Sequence, residues 1–127
     1  MKKKEHYVPS RIKSFACAIV GLKDIIRTEH NARIHALFTV LAILLSIWLH
    51  IDQVQFTLII IVITLVWITE ALNTVFELVI DIVSPAYTET ARRAKDIAAA
   101  AVLIASLGAF LTGSAILLPP LLSKIGF

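Results

Sequence analysis

Three apolar stretches, roughly residues 34–51, 54–83 and 97–122, constrain this chain more than any other feature. Each reaches or approaches the ~20 residues that a helix needs to cross a ~30 Å hydrocarbon core. With 58% hydrophobic residues, 17% charged residues and a mean hydropathy of +0.86, the chain lies far from soluble globular composition. A water-soluble fold of this length could not hide so much apolar surface. The expected fold is an all-α membrane protein, with an N-terminal amphipathic surface helix at about 9–29 and transmembrane helices at about 34–51, 54–83 and 94–118.

The surface helix follows from periodicity. Ile12, Phe15, Ala16, Ile19, Leu22 and Ile26 recur at helical spacing, while Lys13, Lys23, Asp24 and Arg27 fall mostly elsewhere around the helix. Such a segment lies in the membrane interface, as an anchor or as the rim of a site. The first apolar stretch begins more than thirty residues in, so no cleaved signal peptide is expected. Cys17 is the one cysteine and has no metal-ligand spacing around it, which makes it a small packing residue rather than a redox centre.

Basic residues near span ends tend to stay in the cytoplasm. Lys2, Lys3, Lys4, Arg11, Lys13, Lys23, Arg27 and Arg33 precede the first span, and Arg92, Arg93 and Lys95 lie between the second and third. Only Lys124 follows the third, and the connection around His50–Gln53 contains Asp52 but no Lys or Arg. The expected orientation has the N-terminus in the cytoplasm and the C-terminus outside, in the inner membrane of a bacterium. Ser84-Pro85 ends the second helical pattern, and Thr88-Glu89-Thr90-Ala91 supplies capping chemistry for a restart. Ala98 to Ala101, Ala105 and Ala109 suit a closely packed third helix, which Gly113 and Pro119-Pro120 are expected to loosen and end. No repeat or linker divides the chain, so 1–127 reads as one domain.

Ionisable groups within a span are costly and persist mainly where they function or are paired. The second span carries Glu70, Asn73, Glu77 and Asp81. At about 100° per residue all four fall within an arc of about 80°, forming one stripe with Thr74 at its border. Glu70 and Glu77 are ~10 Å apart along the axis, so one ion is not easily shared by both. Asp81 would lie near the cytoplasmic end and Glu70 deepest, a ladder able to hold a water-soluble reactant near the surface while Glu70 meets a group presented from the bilayer.

Glu29, Asn31 and Arg33 lead into the first span, and Arg92, Arg93, Lys95 and Asp96 open the third. Carboxylates with an amide suit Mg²⁺, and Lys and Arg suit phosphates. These are parts for phosphoryl transfer, without a Walker A loop among the four glycines. Each also has a plainer reading. Arg92, Arg93 and Lys95 alone are ordinary positive-inside anchors, Asp81 can pair with one of them, and Glu29 with Arg33 is a common i, i+4 pair. His6, His30, His35 and His50 show no metal spacing and read as interfacial residues. Glu70, Asn73 and Glu77 on one intramembrane face resist such explanation.

The run from Glu70 through Asn73, Thr74 and Glu77 to Asp81, followed by Ala94-Lys95-Asp96, resembles the prokaryotic diacylglycerol kinase family. The likeness extends from about Arg11 to Ser114. It implies a small homotrimeric membrane lipid kinase with active sites at subunit boundaries, Mg²⁺ as cofactor, ATP as co-substrate and a lipid alcohol as acceptor, with no nucleic acid partner. By position Glu70 matches the family's catalytic base, Glu29 and Glu77 its metal and nucleotide carboxylates, and Asn73, Lys95 and Asp96 its other active-site groups. Arg11 and Tyr87 match its nucleotide contacts from the surface helix and the loop, although the family commonly has Glu-Tyr-His where this chain has Ala86-Tyr87-Thr88, and Lys13 is an alternative register for Arg11. Glu29-His-Asn-Ala-Arg33-Ile-His35 and Val83-Ser84-Pro85 look more like the undecaprenol kinase branch than the diacylglycerol kinase branch.

Two other classes use the same residues differently. An ion transporter would spread ionisable groups across the bilayer, yet 56–67 has none. A non-catalytic assembly subunit would use the alanine-rich helix but leave the carboxylate ladder without purpose.

Overall fold

A computed structural model describes residues 11–126. Lys2, Lys3, Lys4, His6 and the expected start of the surface helix near residue 9 lie outside the described residues. The helices are α1 (Arg11–Thr28), α2 (His30–Leu49), α3 (Gln53–Val83) and α4 (Glu89–Ile125). No strand occurs among the described residues, and α2, α3 and α4 are each long and apolar enough to cross a membrane. The expected all-α architecture is therefore the observed one.

In α1, Ile12, Phe15, Ile19 and Leu22 are exposed and no residue is buried. Its apolar face is left for an environment other than the rest of the described chain, as in an interfacial helix. Cys17 is exposed too, so the packing role expected for it is not met within this chain. Glu29 alone separates α1 from α2, with extended backbone at φ −92° and ψ 122°. Because Glu29 stands at this break, it is not half of a helical pair. No Glu29–Arg33 ion pair forms among the described residues, and the Glu29 carboxylate instead accepts from the Thr28 hydroxyl at 3.3 Å.

The turn from α2 to α3 is tight. His50 adopts the left-handed conformation at φ 54°, and Asp52 then caps α3 by accepting from Val54 N at 2.8 Å and Gln55 N at 3.0 Å. The Gln55 side chain accepts from Asp52 N at 3.3 Å, completing a capping box. Asp52→Ala is expected to cost about 1 kcal/mol of stability, read as a lower midpoint in denaturant unfolding from mixed micelles, with Asp52→Ser retaining most of it. An unchanged midpoint in the Ala variant would show that the cap is dispensable.

Ser84 and Thr88 act as the sequence suggests. Ser84 ends α3, and the Thr88 hydroxyl accepts from Ala91 N at 3.1 Å to open α4. The short loop folds α4 back along α3, the most extensive helix pairing in the chain. Ala98, Val102, Ala105 and Ala109 recur at helical spacing on the more buried face of α4, and small side chains there let backbones approach. Trp67 Nε1 donates to Thr39 Oγ1 at 3.0 Å, tying α3 to α2.

The expected end of the third span at Pro119-Pro120 is not observed. Helix α4 runs through both prolines to Ile125 and stops at Gly126, whose φ of 91° is left-handed. Proline's fixed φ near −65° fits a helix, and its cost lies in a missing N–H and crowding of the preceding turn. The extra turn is held from outside: Lys124 Nζ donates to the Trp48 carbonyl at 2.9 Å and lies 4.3 Å from the Trp48 ring centroid.

Few side chains are buried: Ala32, Ile59, Val66, Val102 and Leu117, with the polar Ser46 and Glu70. Phe38, Leu44, Ile104 and Phe110 are exposed along the spans. Apolar surface on that scale requires lipid or other protein against it.

Candidate active site

Helix α3 supplies the polar stripe, and packing decides what each member meets. Glu70, an ionisable residue within a span, is 2% exposed. It lines a cavity of about 220 Å³ between α2, α3 and α4, with Asn31 and His35 from α2, Asn73 from α3, and Val102 and Ser106 from α4. His35 Nε2 lies 3.7 Å from Glu70 Oε2, close but beyond hydrogen-bond length. Glu70 Oε2, Asn73 Oδ1 and Ser106 Oγ are the buried side-chain polar atoms without a hydrogen-bond partner among the described residues.

One turn along, Asn73 Nδ2 donates to Glu77 Oε1 at 3.1 Å. This bond orients the amide so that Oδ1 faces away from Glu77, and it couples Asn73 to Glu77. No group of three His, Cys, Asp or Glu residues able to hold a metal ion occurs among the described residues. Mg²⁺, however, is commonly held by one or two carboxylates together with substrate phosphates and water. Glu29 and Glu77 are donors of that chemical type.

Nearer the α3–α4 loop is a second hollow of about 350 Å³, lined by Asp81, Ser84, Tyr87, Arg92, Lys95 and Asp96 among others. Lys95 Nζ donates to Asp81, and Arg92 bridges Glu89 and Asp96. These pairs are solvent-exposed, where solvent screening leaves an ion pair little effect on stability. Their consequence is placement: two cations and several carboxylates are held at one rim. Lys95 and Arg92 are thus more than isolated anchors, and Asp81 takes the partner that its position suggests.

The site residues expected from sequence consequently fall into two groups. Glu70 and Asn73 line the deep cavity, with Glu77 attached through Asn73, while Tyr87, Lys95 and Asp96 line the loop hollow. Glu29 stands at the α1–α2 break, and Arg11 is the exposed first residue of α1. Sequence reasoning missed His35 and Ser106. His35 faces the buried carboxylate instead of being a plain interfacial residue. A usable signal existed for both: Asn31 and His35 share a helix face at i, i+4, and Ser106 shares one with Ala99 and Val102.

The comparisons agree with this architecture. Residues 16–117 match the model of the family described as prokaryotic diacylglycerol kinase. A diacylglycerol kinase of Synechocystis sp. is 40% identical over 91% of this chain, and the match spans 66% of that relative's length. The Escherichia coli diacylglycerol kinase is 36% identical over 80% of this chain and 83% of its own. The undecaprenol kinase of Bacillus subtilis is 29% identical over 86% of this chain and 89% of its own. A buried intramembrane carboxylate beside an Asn–Glu pair, on three membrane-spanning helices matched across most of the chain, has one reading: the chain belongs to the prokaryotic diacylglycerol kinase family.

Proposed function

We propose that this chain transfers the terminal phosphate of ATP to the hydroxyl group of a membrane lipid alcohol. The observation that carries this reading is Glu70, a carboxylate buried within a span, which lines a cavity and has one oxygen without a hydrogen-bond partner. Its role is general base: it accepts the hydroxyl proton as the lipid oxygen bonds to the γ-phosphorus, and the bond to the bridging oxygen breaks to release ADP. Asn73 holds Glu77 in place. Glu29 and Glu77 would hold Mg²⁺, which when bound neutralises charge on the phosphates. Lys95, Asp96, Tyr87 and Arg11 contact the nucleotide, which enters from the cytoplasmic side where the basic residues gather.

The whole of 1–127 acts as one catalytic domain in the bacterial inner membrane, with its N-terminus in the cytoplasm and its C-terminus outside. Three copies assemble with active sites at their boundaries, a reading that accords with the apolar side chains left exposed along the spans. Two acceptors have specific support. Diacylglycerol comes first, because relatives of that name match at 40% and 36% identity against 29% for the undecaprenol kinase. Undecaprenol is the second reading, on the Glu29–His35 segment and the Val83-Ser84-Pro85 turn.

The test is phosphate transfer from labelled Mg-ATP in mixed micelles, offering diacylglycerol and undecaprenol in parallel. We expect diacylglycerol to be labelled preferentially, and preferential labelling of undecaprenol would move the chain to the second reading. Folded wild-type protein that labels neither would sink the assignment for both.

A further inference from the structure

Hydroxyl side chains inside helices usually satisfy themselves by donating to the carbonyl one turn back. Several here do so: Ser46 to Ala42 at 2.6 Å, Thr57 to Gln53 at 2.8 Å, Thr64 to Ile60 at 2.8 Å and Thr74 to Glu70 at 3.1 Å. Ser106 does not. Its Oγ is shielded from solvent and has no partner, and the other buried side-chain atoms in that condition, Glu70 Oε2 and Asn73 Oδ1, line the same cavity. Three residues with unsatisfied buried polar atoms line one cavity, in a protein with few buried polar groups, and such atoms call for a hydrogen-bonding partner.

That pattern is chemically specific. Glu70 Oε2 as a carboxylate and Asn73 Oδ1 accept hydrogen bonds, whereas Ser106 also donates one. A lipid alcohol presents one hydroxyl proton, which goes to Glu70 Oε2 or Asn73 Oδ1, and an oxygen acceptor that can meet Ser106. The remaining lining includes Ile34, Ala99, Val102 and Leu103, which suit an aliphatic chain beside the polar head. Ile34 and Leu103 are themselves exposed, so the cavity has an apolar approach.

We infer that Ser106 is an acceptor-specificity residue, donating to an ester oxygen next to the reacting hydroxyl and thereby selecting glycerides over simple long-chain alcohols. The inference rests on the lipid-kinase reading above and deepens it. A diacylglycerol carries ester oxygens within a few bonds of its hydroxyl, while a polyprenol carries only the hydroxyl and a hydrocarbon chain. With the alcohol alone, Ser106 stays unpaired. Sites that hydrogen-bond a substrate group discriminate against the analogue lacking it, because the protein group is left buried without a partner.

The experiment compares wild type and Ser106→Ala in labelled Mg-ATP assays with diacylglycerol, a dialkylglycerol ether and a polyprenol, each in mixed micelles. The expected result is that Ser106→Ala lowers kcat/KM for diacylglycerol roughly tenfold and changes polyprenol turnover by less than about twofold. The ether, which lacks the carbonyls, should fall between them. The ratio of two acceptors measured on one protein sample does not depend on the fraction folded, so partial misfolding cannot mimic the effect. An unchanged ratio in an active variant, or a wild type that uses polyprenol but not diacylglycerol, overturns the inference while leaving a lipid kinase. Wild-type protein that labels none of the three overturns the kinase reading itself.

Discussion

Glu70→Gln is expected to lower phosphate transfer by roughly 10²–10⁴-fold, the usual contribution of a positioned general base. Gln has the same shape as Glu but cannot take a proton from the lipid hydroxyl. The cavity between α2, α3 and α4 should keep its form, because the Glu70 side chain makes no hydrogen bond that the amide must replace. Burial of an ionised carboxylate is costly, so the neutral variant should unfold at an equal or higher denaturant concentration. The apparent KM for Mg-ATP should move by less than about twofold, since a loss confined to the chemical step appears in kcat. A variant with activity within tenfold of wild type would show that the base lies elsewhere.

Glu77→Gln should have a different signature. Glu77 Oε1 accepts from Asn73 Nδ2 at 3.1 Å, and its carboxylate is the one we assign to the metal together with Glu29. Loss of that charge should weaken use of Mg-ATP by about 100-fold, comparable to disturbing a metal site's supporting groups. Unlike the Glu70 variant, it should recover partly as Mg²⁺ is raised, because weakened ion binding yields to mass action. The readout is kcat/KM for ATP across a Mg²⁺ series at fixed lipid. A deficit unaffected by Mg²⁺ would move Glu77 from holding the ion to positioning Asn73.

The same physics explains which parts of the protein are legible in one dimension. Apolar length marks α2, α3 and α4, since a spanning helix satisfies its own backbone and needs only a sufficiently apolar run. The Ser84-Pro85 stop, the Thr88 cap and the stripe of Glu70, Asn73, Glu77 and Asp81 are likewise local, because helix periodicity alone determines which side chains share a face. Pro119-Pro120 misled for a related reason. Proline's penalty is local, but the Lys124 contact with Trp48 that secures the turn beyond it comes from another helix.

By itself, then, the sequence determined that three helices are apolar enough to span, the break at Ser84-Pro85, the amphipathic first helix and the residue pattern by which the family is known. Only the tertiary structure decided that Glu70 is buried against His35, that Lys95 pairs with Asp81, and that Ser106 shares its cavity with Asn73. Periodicity assigns a side chain to a face of its own helix, but the register and rotation between packed helices determine what that face meets.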